Sequence, residues 1–183
     1  MADAIAGTFN LGPGSGRVLL KTGRTGAAAK MGHDLTIEVT QWSAEVTVPD
    51  DSGGGLEAAT VSAELDLGSL EVREGTGGAK PLSDKDKRDI EKSAKKTLAN
   101  VGKASFASSK IIPSGSGGAI EGTLTLNGKS QPARVQVVSA DGGKYTGSAT
   151  IRQTDFGITP FSAFLGALKL ADDVGLEFEV NLA

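Results

Sequence analysis

The sequence predicts an all-β fold, an eight-stranded antiparallel barrel with one surface helix and one short apolar helix near the C-terminus. Three observations carry this. Short runs with apolar residues at every second position recur from Ile5 to Leu182, the signal of half-buried strands. Glycine occurs 26 times in 183 residues, about twice its usual share of roughly 7%. The excess falls between the apolar runs, where turns and bulges need positive φ. Hydrophobic residues make up 38% of the chain and aromatics only 4%, so Val, Ile and Leu must build the interior. All-β barrels of this length commonly form a single domain, here expected over residues 1–183.

The first run, Ile5, Gly7, Phe9 and Leu11, closes at the turn Gly12-Pro13-Gly14-Ser15-Gly16, and the second holds Val18, Leu20 and Thr22. Between Leu35 and Val48 the apolar phase switches. Leu35, Ile37 and Val39 are odd-numbered, whereas Trp42, Ala44, Val46 and Val48 are even. A β-bulge at Thr40-Gln41 keeps one face inward across that switch. A polar turn at Asp50–Gly55 leads to Val61, Ala63, Leu65 and Leu67, and Glu74–Lys80 reads as a loop. Ser83 then caps a helix whose first turn carries Asp84 and Asp86, favourable beside the positive end of the dipole. Its i,i+4 pairs are Asp84/Arg88 and Glu91/Lys95, and its apolar stripe (Ile90, Ala94, Leu98) is narrow, which puts it on the surface.

Strands resume at Ala104–Ile112 and Ile120–Leu126, and Asn127-Gly128 is a strong type I′ hairpin signal. The returning strand passes through Val135 and Val137, and Pro132 places its start at a ladder end or an edge. Tyr145, Gly147, Ala149 and Ile151 share one phase up to Arg152, and Asp155-Phe156-Gly157 breaks the run. Thr159-Pro160 reads as N-cap and first residue of a helix, with Phe161, Phe164, Leu165 and Leu168 at i, i+3, i+4 and i+7. Val174, Leu176, Phe178, Val180 and Leu182 form the last strand.

Several function classes drop out. Net charge is −3 with both signs interspersed, so no basic face suggests nucleic acid. The absence of Cys removes disulfides, thiolate zinc sites and a cysteine nucleophile. His33 is the only histidine, which rules out His₂ and His₃ metal sites. No run of 18 apolar residues exists to span a membrane, and the N-terminus carries no signal-peptide pattern. A cytoplasmic protein is therefore expected, unless a leader has been removed. Gly128-Lys129-Ser130 resembles the end of a phosphate loop, but the required first glycine is Thr123 and the setting is a hairpin.

Two polar residues have competing readings. His33 is either a loop imidazole or a partner for a ligand head group or for Asp155. Arg152 either pairs with Asp155 to hold a tight turn or reaches a ligand's polar end. The helix at Thr159–Leu168 either plugs a barrel end or gates an apolar cavity; it gathers Phe156, Phe161 and Phe164 within ten residues.

Five segments in order resemble the YceI-like family. They are Gly7-Thr8-Phe9-Asn10-Leu11, Ala29-Lys30-Met31-Gly32-His33-Asp34-Leu35, Ala104-Ser105-Phe106-Ala107-Ser108, the hairpin Glu121–Ser130 containing Gly122-Thr123-Leu124-Thr125-Leu126-Asn127-Gly128, and Arg152–Ile158. The resemblance implies a lipocalin-like barrel with a hydrophobic tunnel for polyisoprenoid or other long amphiphilic chains, in a family whose members are often dimeric and often exported. Before the Phe106 motif the chain departs from the family pattern, with the smaller run Val101-Gly102-Lys103-Ala104.

The expected function is non-enzymatic binding, transport or storage of a long apolar ligand such as a polyisoprenoid, an isoprenoid quinone or a fatty-acid-like amphiphile. No other cofactor is expected, and the partners would be that small molecule and a second copy of the chain. Expected ligand contacts are Leu20, Ile37, Trp42, Phe106, Leu124, Phe156, Phe161, Phe164 and Phe178, with His33 and Arg152 as polar contacts. The rivals are an enzyme using His33 with Asp155, an isomerase or hydrolase, and a stress-related interaction domain whose barrel is filled by its own side chains.

Overall fold

The computed structural model describes residues 5–182. The strands are β1 (Gly7–Leu11), β2 (Gly16–Thr25), β3 (Asp34–Val39), β4 (Trp42–Val48), β5 (Thr60–Asp66) and β6 (Leu70–Thr76), then, after helix α1 (Asp84–Leu98), β7 (Lys103–Ser114), β8 (Gly117–Leu126), β9 (Lys129–Ser139), β10 (Lys144–Arg152), the two-residue β11 (Ser162–Ala163) and β12 (Leu168–Asn181). They form one sheet, in the order β1-β4-β5-β7-β8-β9-β10-β12-β2-β3-β6, with β11 on β12. Every pairing is antiparallel.

The all-β expectation holds, but the described residues contain twelve strands rather than eight. Much of the excess comes from one corner of the sheet. The long run Leu35–Val48 breaks at Thr40-Gln41 into β3 and β4, where the phase switch requires it. Its hairpin partner breaks at the same level, where a 3₁₀ turn at Leu67–Ser69 separates β5 from β6. Thr40 and Gln41 tie the two breaks together: the Thr40 N–H and hydroxyl donate to the Ser69 carbonyl at 3.1 and 2.8 Å, and the Gln41 N–H donates to the Ser69 hydroxyl at 2.9 Å. β1 and β2 flank the corner on the other side, β1 paired with β4 and β2 with β3. The change of direction curls the sheet.

β6 corrects the expected loop at Glu74–Lys80, since the strand runs to Thr76. Its inward residues Leu70 and Val72 are buried opposite Val39 and Ile37. Helix α1 lies along β6. Ser83 and Asp86 form the capping box, with the Asp86 N–H donating to the Ser83 hydroxyl at 3.1 Å. Glu91 accepts from the Val72 N–H at 2.9 Å, and Lys87 donates to the Arg73 carbonyl at 3.1 Å. The helix thus satisfies backbone groups that an edge strand would leave open. The ion pair on its surface is Lys85–Asp89 at 2.6 Å rather than Asp84/Arg88 or Glu91/Lys95.

The hairpin turn forms at Asn127 (φ 53°) and Gly128 (φ 70°). Beyond it, β9 pairs with β8 along its length but with β10 only over Gln136–Ser139. Pro132 therefore sits where β9 has no second ladder to supply, as its missing N–H demands.

The segment Thr159–Leu168 is not an α-helix. Ser162 and Ala163 pair with Lys169 and Leu168, and Phe164–Gly166 forms a tight turn with φ of 51° at Phe164 and 54° at Leu165. A helix this short gains little without a surface to bury its stripe, and that stripe is exposed at Phe161, Phe164 and Leu165. The backbone instead bonds into a hairpin, with the Leu170 N–H to the Phe161 carbonyl at 2.9 Å and the Ala28 N–H to the Ala167 carbonyl at 2.8 Å.

Two apolar clusters hold the fold. One joins Leu35, Ile37, Val39, Leu70 and Val72 to Leu20 and to the helix residues Ile90, Ala94 and Leu98. The other gathers Leu67, Ala104, Leu124, Leu126, Phe156 and Ile158. A single enclosed side-chain polar atom among the described residues lacks a partner, the Thr22 hydroxyl. Replacing it by an isosteric methyl removes that desolvation cost, about 1 kcal/mol. Thr22→Val should accordingly raise the urea midpoint with an unchanged m-value; a lowered midpoint would show that the hydroxyl is satisfied in solution.

Candidate functional site: an apolar cavity

The sheet curls around a cavity of about 270 Å³. Its wall is drawn from β1, β2, β4, β5, β7, β8, β9, β10 and β12. On β9 the inward residues are Ala133, Val135, Val137 and Ser139, and on β10 they include Tyr145, Ala149 and Ile151. These inward side chains are half-buried, whereas their outward neighbours such as Arg134, Gln136 and Val138 are exposed. Side chains packed into a filled core would be fully buried on the inward phase. The half-burial on β9 and β10 marks the space left between the inward side chains.

One end of the cavity is shut. Ala104 and Leu124 belong both to its wall and to the second cluster, in which Phe156 is 4% exposed. Phe156 is held there by the β8–β9 turn, because the Asn127 side-chain amide donates to the Phe156 carbonyl at 2.9 Å. Gln131 donates to the Asp155 carbonyl at 3.2 Å, and Asp172 accepts from the Thr154 N–H at 2.9 Å and from its hydroxyl at 2.5 Å. The Thr154 hydroxyl also holds the Asp172 carboxyl below its ordinary value. The opposite end is the mouth, lined by Ile5, Leu56, Pro113, Ser139, Tyr145 and Leu182.

Two wall aromatics lie flat rather than across the bore. A Cβ at Gly122 would overlap the Phe106 ring, and one at Gly147 would overlap Phe178, which sits directly opposite it on β12. Each glycine leaves room for the ring against the wall, as aromatic side chains cover glycines in other sheets. The lumen stays open as a result.

Four of the eleven expected contacts line the cavity: Trp42, Phe106, Leu124 and Phe178. The other seven lie elsewhere. Leu20 and Ile37 face inward but belong to the cluster against which α1 packs. Phe156 is part of the plug, and Phe161 and Phe164 are exposed on the β11–β12 hairpin. His33 Nε2 donates to the Lys80 carbonyl at 2.6 Å, in a loop that Arg24 also braces through the Ala29 and Gly32 carbonyls. Arg152 pairs across the sheet with Asp173 at 3.3 Å, not with Asp155, and that contact raises the guanidinium's already high pKa. Both His33 and Arg152 are thus committed to backbone or ion-pair partners away from the cavity wall. Among the described residues, no three His, Cys, Asp or Glu side chains converge to hold a metal ion.

The wall's polar side chains are Ser139 and Tyr145, which the sequence reading did not single out as contacts. The signal was available: each is the polar member of an otherwise apolar inward phase. Among the described residues no charged side chain lines the cavity.

Comparison with known proteins agrees with this architecture. Among curated proteins none matches the chain. Among solved structures it resembles three engineered mutants of the CJ YceI protein, one crystallised with a monobromobimane guest and two made for nanotechnology applications. Each superposes with a TM-score of 0.53 at 15% identity, covering 79% of this chain and 81% of the other. The sequence model of the YceI-like domain matches residues 19–182, and on that match the chain belongs to the YceI-like family.

Proposed function

We propose that this protein is a non-enzymatic carrier or store for a long apolar or amphiphilic molecule of the polyisoprenoid, isoprenoid quinone or fatty-acyl type. The carrying observation is the cavity, walled among the described residues by aliphatic and aromatic side chains and Ser139, with no charged side chain. Transfer of a hydrocarbon chain from water into such a wall gains roughly 25 cal/mol per Å² of apolar area. Binding sites of this kind orient their ligand with a few polar groups. A reaction chamber would need a base within reach of its substrate, and the expected pair, His33 and Asp155, does not line the wall.

The test is mass spectrometry of an organic extract of the purified protein, followed by titration of delipidated protein while Trp42 fluorescence is recorded. Trp42 is the chain's one tryptophan and lies on the cavity wall. A long-chain compound in the extract and a saturable change in emission are expected. An empty extract together with unaltered emission would refute the carrier.

A further inference from the structure

Ser139 and Tyr145 face each other across β9 and β10, and both line the mouth of the cavity. Among the described residues neither hydroxyl has a hydrogen-bond partner. From this pair the wall runs six residues down each strand, to Ala133 and to Ile151, without another polar side chain on either. At about 3.3 Å per residue that is roughly 20 Å of apolar wall. A chain lying in the cavity with its tail toward Phe156 would bring its head to these two hydroxyls.

The surroundings set the charge of that head. Among the described residues no cation lines the cavity. Lys144, beside Tyr145 in the chain, is paired with Glu179 at 3.0 Å. The connections at the mouth carry exposed carboxylates instead, with Asp50, Asp51 and Glu57 between β4 and β5 and Asp141 between β9 and β10. Asp50 is held below the ordinary carboxylate range by the Ser52 hydroxyl and the Gly53 N–H. An anionic head would meet neutral donors, an apolar rim and four like charges, and the cost of desolvating a charge without a counter-ion is large. An alcohol, ketone or quinone carbonyl carries no such cost, and two neutral hydroxyls can both donate to it and accept from it.

We infer that the cavity selects ligands with an uncharged, hydrogen-bonding head group, held at the mouth by Ser139 and Tyr145. The inference rests on the carrier reading and narrows it, favouring prenyl alcohols or quinones over ionised fatty acids.

Three probes of equal chain length, kept below their aggregation concentrations, test it on delipidated protein at pH 8, read by Trp42 fluorescence: hexadecane, hexadecan-1-ol and hexadecanoate, the last ionised as a monomer at that pH. The alcohol should bind at least tenfold tighter than the carboxylate. The double variant Ser139→Ala with Tyr145→Phe, checked for an unchanged circular dichroism spectrum, should bring the alcohol's affinity down to that of the alkane. Equal or tighter binding of hexadecanoate, or an alcohol preference that survives in the double variant, would overturn the head-group inference while the carrier stands. Failure of all three probes, the alkane included, would remove the carrier reading and the inference with it.

Discussion

Ala149→Trp should leave the protein folded and unable to load. Ala149 points into the cavity from the middle of β10, opposite Leu176. Its small side chain is one of the places where the wall leaves the bore wide. An indole there projects into existing space, so the substitution avoids the overpacking cost expected in a filled core. Excluding on the order of 100 Å² of ligand contact removes about 2.5 kcal/mol at roughly 25 cal/mol per Å², which approaches a hundredfold in affinity. Ligand recovered per mole of protein, measured by mass spectrometry, is the readout. Ser148→Trp, one residue away on the exposed outer face, should load like the parent. If Ala149→Trp also loads like the parent, the cargo does not occupy this cavity.

Phe156→Ala should be among the most destabilising single substitutions in the chain. The ring sits among Leu67, Leu126 and Ile158 at the shut end, and its backbone carbonyl anchors the β8–β9 turn through Asn127. Truncating a buried phenylalanine costs about 3–5 kcal/mol. In a domain of this size that lowers the melting midpoint by on the order of 10 °C. Phe164→Ala supplies the contrast, since that ring is exposed on the hairpin tip and surface changes of this kind stay within about 0.5 kcal/mol. Urea and thermal denaturation of the two variants check the difference. Equal losses would mean that the plug does not hold the end of the sheet.

The strands were legible in the sequence where alternation and turn chemistry agreed. Leu35–Val39 and Trp42–Val48 carry the phase switch in plain view, and Asn127-Gly128 marks its hairpin with residues that tolerate positive φ. Ser83 and the narrow stripe of Ile90, Ala94 and Leu98 likewise foretold a capped helix lying on the surface. β6 was hidden because Glu71, Arg73 and Glu74 leave only Leu70 and Val72 to mark it in a polar stretch; their burial depends on a helix that arrives later in the chain. At Thr159–Leu168 helical spacing was present but had no surface to pack on, and backbone pairing with β12 won.

The cavity was legible in outline and less so in detail. Inward phase alone identified Trp42, Phe106, Leu124 and Phe178. It could not separate wall from plug, because Leu20, Ile37 and Phe156 share the phase or neighbourhood and differ only in what packs over them. Arg152 and His33 stood out as rare polar residues beside apolar runs. Their partners, Asp173 and the Lys80 carbonyl, are 21 and 47 residues distant in sequence, beyond the reach of local pattern.

For a carried ligand, the shut end of the cavity at Phe156 has a kinetic corollary. In a blind channel an incoming molecule cannot push the resident out from behind. Exchange must then proceed by spontaneous departure, at a first-order rate that extra competitor does not accelerate. Unloading on demand would require something that acts at the mouth beside Tyr145.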